Sequence, residues 1–405
     1  MRLLSSFLLV MGCTAALAQT SKLYLNLVSH NEMKNEVYDT DSVNFTESTA
    51  FVQQIAMAVI NKQAKWDFQS CSKYILGVHN FQDAYNNPGN ILQWMSESGF
   101  IEVDPRPKTE TPDYNYNISD VVHLLDSAGV PDSKVVGGFV YYPFNQEDWT
   151  PYENIIWGNV YGNPWQADIA WGAGSFPPHT HDANDFGIWK PSAGTDSVSF
   201  YTHDANNHLW VEGNGCAPVL DSLTGPDDIF AEIKTIAEEI SSGSWPSDKF
   251  YCYTIMINQR DFSAALVQKV STLIDSINTL VSAGEVEWAT VNEKFSAFQQ
   301  WSSQNNIPYS QWYCGETVSS PDGIILSALL SVFPNPADFS LTLKPGTMKY
   351  PLATEIFNSE GKLVKTGNLS SAGDPILLQA IPDGIYFLRV RDGKGKVYSC
   401  RFVRY

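Results

Sequence analysis

Residues 23–32 read Leu-Tyr-Leu-Asn-Leu-Val-Ser-His-Asn-Glu, an apolar run with a polar end. The run is short and rich in residues that favour extended backbone, so it predicts a strand from Leu23 to Ser29. The apolar residues from Thr46 to Ala64 then recur with the period of a helix. Beyond its N-terminal segment, the chain therefore starts with a strand followed by a helix.

The same order of elements recurs further along the chain. The apolar runs that predict six further strands are Lys73–Val78, Phe100–Val103, Val135–Tyr142, Ala167–Gly172, Lys249–Ile257 and Val286–Thr290. Helical patterns separate several of these runs, and repeated strand–helix units are typical of a parallel sheet covered by helices. We therefore predict an α/β fold with an incomplete (β/α) barrel of about seven strands. A doubly wound sheet is the alternative.

The charge of the chain is divided unevenly. Its 44 Asp and Glu outnumber its 25 Lys and Arg, which gives a formal net charge of −19. Residues 332–405 hold 10 basic and 6 acidic residues, a net of +4, and with Arg2 set apart the remainder carries −24. A field of this sign repels polyanions, so nucleic acid is not expected as a partner. The two charge balances indicate two separate bodies.

The N-terminus has the pattern of a secretory signal peptide. Arg2 precedes the apolar run Leu3–Met11, and the small residues Ala16-Leu17-Ala18 follow. The run is shorter than the ~20 apolar residues of a membrane-spanning helix. We expect residues 1–18 to be removed, and no later segment predicts a transmembrane span.

The C-terminal body consists of short alternating runs separated by turns, which predict a small all-β sandwich. Its motifs are Val-Phe-Pro-Asn-Pro-Ala at 332–337, Ile-Phe-Asn-Ser-Glu-Gly at 356–361 and Gly-Ile-Tyr-Phe-Leu-Arg-Val at 384–390. Their order and spacing resemble the C-terminal sorting domain (type A) of the type IX secretion system of Bacteroidetes. The resemblance implies recognition of residues 332–405 by the secretion machinery, passage across the outer membrane and removal of this segment. A generic β-sandwich binding module is the alternative.

Two stretches carry a resemblance in the main body. They are Leu-Asn-Leu-Val-Ser-His-Asn-Glu at 25–32 and Gly-Glu-Val-Glu-Trp-Ala-Thr at 284–290, with Asn-Glu-Lys-Phe at 292–295. The body distantly resembles the polysaccharide deacetylase and glycoside hydrolase/deacetylase barrels. This implies a secreted carbohydrate-active hydrolase, a deacetylase or a glycosidase, with polysaccharide as its partner. Because His30-Asn31-Glu32 replaces the paired aspartates of that family and its two-histidine motif is absent, a non-catalytic glycan-binding or cell-surface protein is the alternative.

These patterns together set the expected boundaries. We expect a signal peptide at 1–18, a polysaccharide deacetylase-like barrel at 19–316, a linker at 317–331 and the sorting domain at 332–405. The mature protein is expected to be secreted or held at the cell surface.

Reacting groups in a (β/α) barrel come from the carboxyl ends of its strands and the loops that follow. This rule selects His30, Glu32 and Asp104 as candidate catalytic residues. Glu32 and Asp104 follow different strands, so they suit the acid and base of a glycosidase. The alternative is that each is an ordinary polar residue of a loop.

Two histidine-rich stretches repeat the sequence Thr-His-Asp-Ala-Asn, at 180–184 and 202–206. His179 and His181 lie two positions apart, so in extended chain both point the same way and can share one metal ion. Adding His203 gives a candidate site for a divalent metal ion, with zinc the first choice. Asp-Ala-Asn is also a good turn former, so turn chemistry alone is the alternative.

Aromatic residues are concentrated between residues 141 and 210, in a stretch rich in Gly, Pro, Asn and Asp. Flat rings beside polar side chains suit sugars, whose C–H faces stack on rings while their hydroxyls need hydrogen-bond partners. The expected substrate-binding residues are Tyr142, Trp171, Trp189 and Arg260. The negative charge favours a neutral polysaccharide. A loop excursion held together by its own rings is the alternative.

Overall fold

The chain divides into two compact units, residues 1–314 and residues 315–405. A computed structural model describes residues 21–31, 37–81, 89–106, 115–139, 149–172, 185–194, 197–215, 218–221, 224–313, 330–333, 337, 339–345, 350–358, 362–371, 374–379, 381–391 and 397–404. The expected signal peptide and most of the expected linker lie outside these residues.

The first unit, the body, mixes strands and helices. Its strands are β1 Leu23–His30, β2 Trp66–Ser70, β3 Ile101–Pro105, β4 Val135–Phe139, β5 Ile156–Trp157, β6 Pro164–Trp165, β7 Ile169–Gly172, β8 Asp185–Trp189, β9 Trp210–Asn214, β10 Val219–Leu220, β11 Tyr251–Asn258, β12 Val286–Trp288 and β13 Ser310–Tyr313. Its helices are α1 Ser42–Asn61, α2 Ser72–Phe81, α3 Ile91–Glu97, α4 Ile118–Ser127, α5 Ser197–Tyr201, α6 Pro226–Ser241, α7 Ala264–Ala283 and α8 Val291–Asn305.

The first sheet of the body is parallel and has the order β10-β11-β1-β2-β3, with β12 pairing with the first part of β1. Alternate residues of β1 face opposite sides. Leu23, Leu25 and Leu27 enter the apolar layer that holds side chains of α1, α6 and α7. Val28 lies in a different apolar cluster on the opposite side. Helices therefore cover one face of this sheet, and its other face lines an interior.

The second sheet has the order β13-β8-β9-β7-β4. Strands β4, β7 and β9 run parallel, whereas β8 and β13 are antiparallel to their neighbours. Its apolar side chains Ile169 and Trp171 share a cluster with Val28 of the first sheet. The two sheets thus contribute to one common interior.

Helix α8 closes this interior. It begins with a capping box, in which Thr290 N donates to Glu293 Oε2 at 2.9 Å and Glu293 N donates to Thr290 Oγ1 at 3.4 Å. Phe295, Phe298 and Trp301 of α8 belong to the same cluster as Val28. The face of α8 that carries Lys294 is also buried, and both sheets contact that lysine.

The second unit consists of strands in the part of it that the structure describes. They are β14 Leu330–Phe333, β15 Ser340–Pro345, β16 Leu352–Asn358, β17 Leu363–Leu369, β18 Pro375–Leu377, β19 Gly384–Arg391 and β20 Val397–Arg404. They form two sheets, in the orders β14-β15-β18 and β17-β16-β19-β20. Leu341, Ile356, Leu388 and Phe402 are among the side chains of the core between them.

The mixed α/β class of the body and the strand content of the tail are confirmed. The strand expected at Lys73–Val78 is wrong, because this segment belongs to α2 and the neighbouring strand is β2. The apolar run was compatible with either structure, and Tyr74, Ile75 and Val78 are buried at helical spacing. Among the described helices, none is long and apolar enough to cross a membrane.

Candidate active site

Three carboxyl groups converge in the interior of the body. Asp67 comes from β2, and Glu102 and Asp104 come from β3. Each offers an oxygen atom within 4.8 Å of the oxygens of the other two. Asp67 pairs with Glu102 in the register of the two strands, and Asp104 is two residues further on, so all three point to the same side. We call these three residues the carboxyl cluster.

Asp67 connects the cluster to α8. Its Oδ2 accepts a hydrogen bond from Asn26 Nδ2 at 2.6 Å, and its Oδ1 accepts one from Val291 N at 2.9 Å. Val291 is the first residue of α8, so the carboxylate lies at the positive end of the helix dipole. Burial and the nearby Glu102 nevertheless raise the pKa of Asp67 well above its usual range, against these hydrogen bonds.

Glu102 is the member of the cluster nearest to solvent. It lines a surface cleft of about 260 Å³ together with Ser133, Thr290 and Asn292. The Nδ2 of Asn292 donates to Glu102 Oε1 and, at 2.6 Å, to the carbonyl of Ser133. Burial raises the pKa of Glu102, and hydrogen bonds from Thr290 and Asn292 oppose the rise.

Asp104 is the most deeply buried member of the cluster on β3. It has no exposed surface, and its carboxyl group interacts with the side chains of Glu102 and Ser133. Burial, then the charges of Glu102 and Asp67, raise its pKa well above the usual range of an aspartate. A shift in this direction favours the protonated form of Asp104, which is the form that a general acid requires.

Gln69 and His30 lie beside Asp104 on the two neighbouring strands, and we call His30, Gln69 and Asp104 the row. The register pairs His30 with Gln69 and Gln69 with Asp104, so the three side chains point to the same side of β1, β2 and β3. Gln69 is fully buried, and neither atom of its amide has a hydrogen-bond partner among the described residues. All three residues lie at or next to the carboxyl ends of their strands, which is the edge of a parallel sheet where ligands of α/β folds bind.

Trp171 and Gly138 hold the His30 ring in place. The ring edge packs on Trp171, with a centroid distance of 5.8 Å and an interplanar angle of 80°. Gly138 has a φ of +72°, and a Cβ at this position would lie 2.8 Å from His30 Nε2 and 3.0 Å from Arg106 Nε. The close approach of the backbone leaves no space for a side chain here, so only glycine fits.

Lys294 lies beneath the cluster. Its ammonium donates to Glu212 Oε1 at 2.7 Å, to Asn26 Oδ1 at 2.6 Å and to the carbonyl of Tyr253 at 3.2 Å. Burial, against the opposing effect of Lys294, raises the pKa of Glu212 to about 7. Lys294 thus compensates Glu212 directly and Asp67 at longer range, whereas Asp104 is fully buried without a lysine partner among the described residues, so part of the carboxyl charge must be neutralised by protons or by a cation.

The structure brings three of the predicted site residues to this interior: His30, Asp104 and Trp171. Trp171 is fully buried, and its indole donates to Thr254 Oγ1 at 3.2 Å, so it positions His30 and is not a solvent-facing platform. The predicted residues Glu32, Tyr142, His179 and His181 lie outside the described residues. The backbone of Arg260 follows β11, and its side chain is not among the described groups.

His203 and Trp189 lie elsewhere in the body. His203 Nδ1 accepts the Lys190 amide hydrogen at 3.2 Å, and its ring stacks on Tyr309 at 4.2 Å. Trp189 is fully buried, and its indole donates to the Phe200 carbonyl at 2.7 Å. Trp189 is therefore a core residue and not a sugar platform, because no face of its ring reaches solvent.

Sequence reasoning missed Asp67, Gln69, Glu102 and Lys294. A signal existed for the first two, because Trp-Asp-Phe-Gln-Ser at 66–70 alternates with period two. Glu102 stands in a strand that was predicted, two residues before Asp104. Lys294 follows a Thr-x-x-Glu capping box at Thr290, which marks the start of a helix.

The carboxyl cluster is the group of described residues that could hold a metal ion. Its donors are all carboxylate oxygens, which suit calcium, magnesium or manganese better than zinc. The fully buried oxygens of Asp104 fit such an ion. They fit a proton equally well.

Comparison with known families identifies the second unit. Residues 331–403 match the family described as secretion system C-terminal sorting domain, so the chain carries a sorting domain of this family. The sequence matches no curated protein.

Several solved structures are similar to the chain at low identity. A probable polysaccharide deacetylase from Pseudomonas aeruginosa PAO1 shares 10% identity over 70% of this chain and 92% of its own, with a TM-score of 0.42. A putative glycoside hydrolase/deacetylase from Parabacteroides distasonis shares 9% identity over 95% and 84%, with a TM-score of 0.40. An immunoglobulin-like β-sandwich protein from Bacteroides vulgatus shares 20% identity over 19% and 85%, with a TM-score of 0.17. Similarity at these sequence identities and TM-scores assigns no activity to this chain.

Proposed function

We propose that the protein is a secreted hydrolase of polysaccharides, built on an incomplete (β/α) barrel and exported by the type IX secretion system. The observation that carries the catalytic part is the state of Asp104, a fully buried carboxyl group with a strongly raised pKa in a row with His30. The sorting domain at 331–403 supports the export.

In the proposed reaction, Asp104 donates its proton to the leaving oxygen of the substrate. The charges of Glu102 and Asp67 hold that proton on Asp104 until the leaving oxygen becomes more basic. His30, fixed by Trp171 and by the backbone at Gly138, is the second group of the row and accepts a proton from the attacking water. Gln69 lies between them and offers both a donor and an acceptor to substrate hydroxyls.

The variant Asp104→Asn tests this proposal. It keeps the shape of the side chain but cannot donate the proton, so turnover should fall by about 10²- to 10⁴-fold. The substrates are neutral polysaccharides in plain and acetylated form, and the readouts are reducing ends and released acetate. Glu287→Gln, whose side chain is about half exposed beside Lys22, is the control and should keep full activity. Undiminished turnover by Asp104→Asn would exclude Asp104 as the acid.

A non-catalytic glycan-binding protein is the second candidate. The complete burial of Asp104 and Gln69 favours it, because a substrate must reach these groups before they can react. Binding of a polysaccharide by the wild type without any release of sugar or acetate would decide for this candidate.

A divalent cation at the carboxyl cluster is the alternative to a proton on Asp104, because an ion bound by the three carboxylates keeps Asp104 ionised and excludes it as the acid. Metal analysis of the purified protein before and after chelation tests it. The metal site is supported if the wild type binds one equivalent of an oxygen-preferring ion and Asp104→Asn does not bind it. Full activity of the metal-free protein would contradict the metal site.

Export is tested by deleting residues 331–405. The shortened chain should remain in the periplasm, whereas the full chain should appear in the medium or on the cell surface. Unchanged secretion of the shortened chain would contradict the role of the sorting domain.

A further inference from the structure

We infer that residues 155–161, which we call the aromatic loop, form a binding subsite for a neutral polysaccharide, with Trp157 and Tyr161 stacking on sugar faces. The identity of the ligand rests on the proposed function. The loop itself is separate from the carboxyl cluster and binds whether or not catalysis follows.

The aromatic loop exposes large apolar side chains at close spacing. Ile155 is 55% exposed, Trp157 63%, Val160 50% and Tyr161 42%. Four such residues within seven positions concentrate exposed apolar side chains on one short loop, and such concentrations occur mainly where a ligand or partner binds. The neighbouring Trp165, by contrast, is buried and donates from its indole to Asp132 Oδ1 at 2.8 Å.

Asp120 of α4 fixes the backbone of the loop. Its Oδ1 accepts hydrogen bonds from Val160 N at 3.0 Å and Tyr161 N at 2.9 Å, and its Oδ2 accepts one from Asn159 N at 2.8 Å. Burial disfavours the charged carboxylate, but these backbone hydrogen bonds outweigh it and lower the pKa of Asp120. The loop is therefore preorganised, so a ligand does not have to order it on binding.

Further contacts hold the backbone at Trp157 and the ring of Tyr161. Asn117 Nδ2 donates to the carbonyl of Trp157 at 2.7 Å. The ring of Tyr161 stacks on Tyr116 at 5.9 Å with an interplanar angle of 11°, and it lies 4.2 Å from the ring of His123. Both side chains keep exposed surface, and exposed aromatic rings are suited to stacking on flat apolar surfaces, including the C–H faces of sugars.

Asn159 supplies the polar part of the subsite. It is exposed at the tip of the loop, and in the part of the chain that the structure describes its side-chain amide makes no hydrogen bond. An amide both donates and accepts, as sugar hydroxyls require. The loop thus combines ring faces with a polar group that is available to a ligand.

The charge near the loop disfavours anionic ligands, because Lys134, which lies over the ring of Trp165, is itself paired with Asp132. Residues 135–189 contain no lysine or arginine and six acidic residues. Anionic lipid surfaces, uronate-rich glycans and nucleic acids all require basic residues at the contact. A neutral polysaccharide is the ligand class that fits both the rings and the charge.

The topology places the loop on the side of the sheet where β3 ends. Helix α4 follows the carboxyl end of β3 and returns toward its start, where Val130 lines the same cleft as Ile101. The loop is bonded to the first turn of α4, through Asn117 and Asp120. A polysaccharide bound on the loop would therefore run on the same side as Asp104 and His30.

Binding to a panel of polysaccharides by affinity electrophoresis and calorimetry tests the inference. The panel holds glucan, xylan and mannan as neutral members and alginate and polygalacturonate as anionic ones. Trp157→Ala and Tyr161→Ala should each weaken binding of a neutral member about tenfold or more. Tyr309→Ala is the matched control, since Tyr309 is 38% exposed but stacks on His203, and it should bind within about twofold of the wild type.

The outcomes separate this inference from the proposed function. Asp104→Asn should bind like the wild type, so its effect on turnover reports on the function alone. Loss of binding in Trp157→Ala supports the subsite even if no polysaccharide is cleaved. The proposed subsite is wrong if the wild type binds no neutral polysaccharide, or if both loop variants bind as well as the wild type. It is also wrong if the two substitutions abolish only association of the protein with itself and leave polysaccharide binding unchanged. The exposed positions allow both variants to fold, which their thermal midpoints check.

Discussion

The ammonium of Lys294 lies 2.7 Å from Oε1 of Glu212, and neither side chain has any exposed surface. Lys294 belongs to α8 and Glu212 to the second sheet, whereas a further partner of the lysine, Asn26, belongs to the first sheet. A single side chain therefore joins three layers of the body. Because Lys294 is buried, removing its ammonium group leaves the oxygen atoms of Glu212, Asn26 and Tyr253 without this donor.

Lys294→Met should destabilise the body strongly. Removing one partner of a buried ion pair typically costs about 3–5 kcal/mol, because the other charge stays buried without compensation. Urea unfolding followed by tryptophan fluorescence measures this loss. Lys22→Met, at an exposed ion pair with Glu287, should cost below about 1 kcal/mol. Equal stability of Lys294→Met and the wild type would disprove the role of the lysine.

The body should be more stable at pH 5 than at pH 7.5. Burial raises the pKa of Glu212 from 4.5 to about 7 in the folded state, so the folded protein binds more protons than the unfolded chain between these values. Stability is therefore lost as pH rises through this window. Asp67 and Asp104 act in the same direction, since their pKa values are also raised.

Glu212→Gln should flatten this dependence. The glutamine reproduces the protonated glutamate at every pH, which removes on the order of 3 kcal/mol of the difference between pH 5 and pH 7.5. The midpoints of urea unfolding of Glu212→Gln and of the wild type, measured at both pH values, test this prediction. A wild type that gains stability toward pH 7.5 would contradict the raised pKa of Glu212.

Gly138→Ala should damage the site more than an ordinary glycine substitution does. Gly138 and Gly243 have similar φ values, +72° and +76°, but a Cβ on Gly138 meets His30 and Arg106 whereas one on Gly243 meets nothing within 4 Å. Gly243→Ala should cost only the strain of a left-handed residue, roughly 1–2 kcal/mol. Gly138→Ala should cost more and should reduce any turnover. Equal stability and activity of the two variants would show that His30 can move away freely.

Asp120→Ala should loosen the aromatic loop. The change leaves the backbone amides of Asn159, Val160 and Tyr161 without their acceptor, at a cost of about 2 kcal/mol or more. Hydrogen exchange of these amides should accelerate. Asp41→Ala removes a cap that accepts two backbone amides at the start of α1 and should cost about 1 kcal/mol. Unchanged exchange in Asp120→Ala would mean that the loop is rigid for another reason.

The sequence predicted much of the framework because apolar runs and caps report directly on helices and strands. The strand that carries Asp104 was found for this reason. Asp67 and Gln69 were missed because alternation is usually interpreted as one apolar face and one solvent face. In β2 the polar residues face the interior and are fully buried. No local pattern distinguishes a polar interior from solvent.

Some of the predicted site residues lie away from the carboxyl cluster, and this difference also has a physical reason. Histidines and tryptophans that cluster along the chain need not reach the carboxyl cluster, since His203 and Trp189 are held in a part of the body built around the second sheet. Lys294 was overlooked because a lysine in a helix usually reaches solvent. Only the pairing of α8 with both sheets makes it an interior residue.

The position of Lys294 along the chain leads us to expect that helix α8 joins the body late in folding. Lys294 bonds Asn26 across 268 residues, and it lies close to the end of the first unit. Carboxyl groups from β2, β3 and β9 are synthesised long before the lysine that neutralises them. Early collapse around these strands would bury negative charge without a counterion, and contacts this distant form late in any case. We therefore expect a chain cut before α8 to remain open and to be cleaved by proteases faster than the full chain.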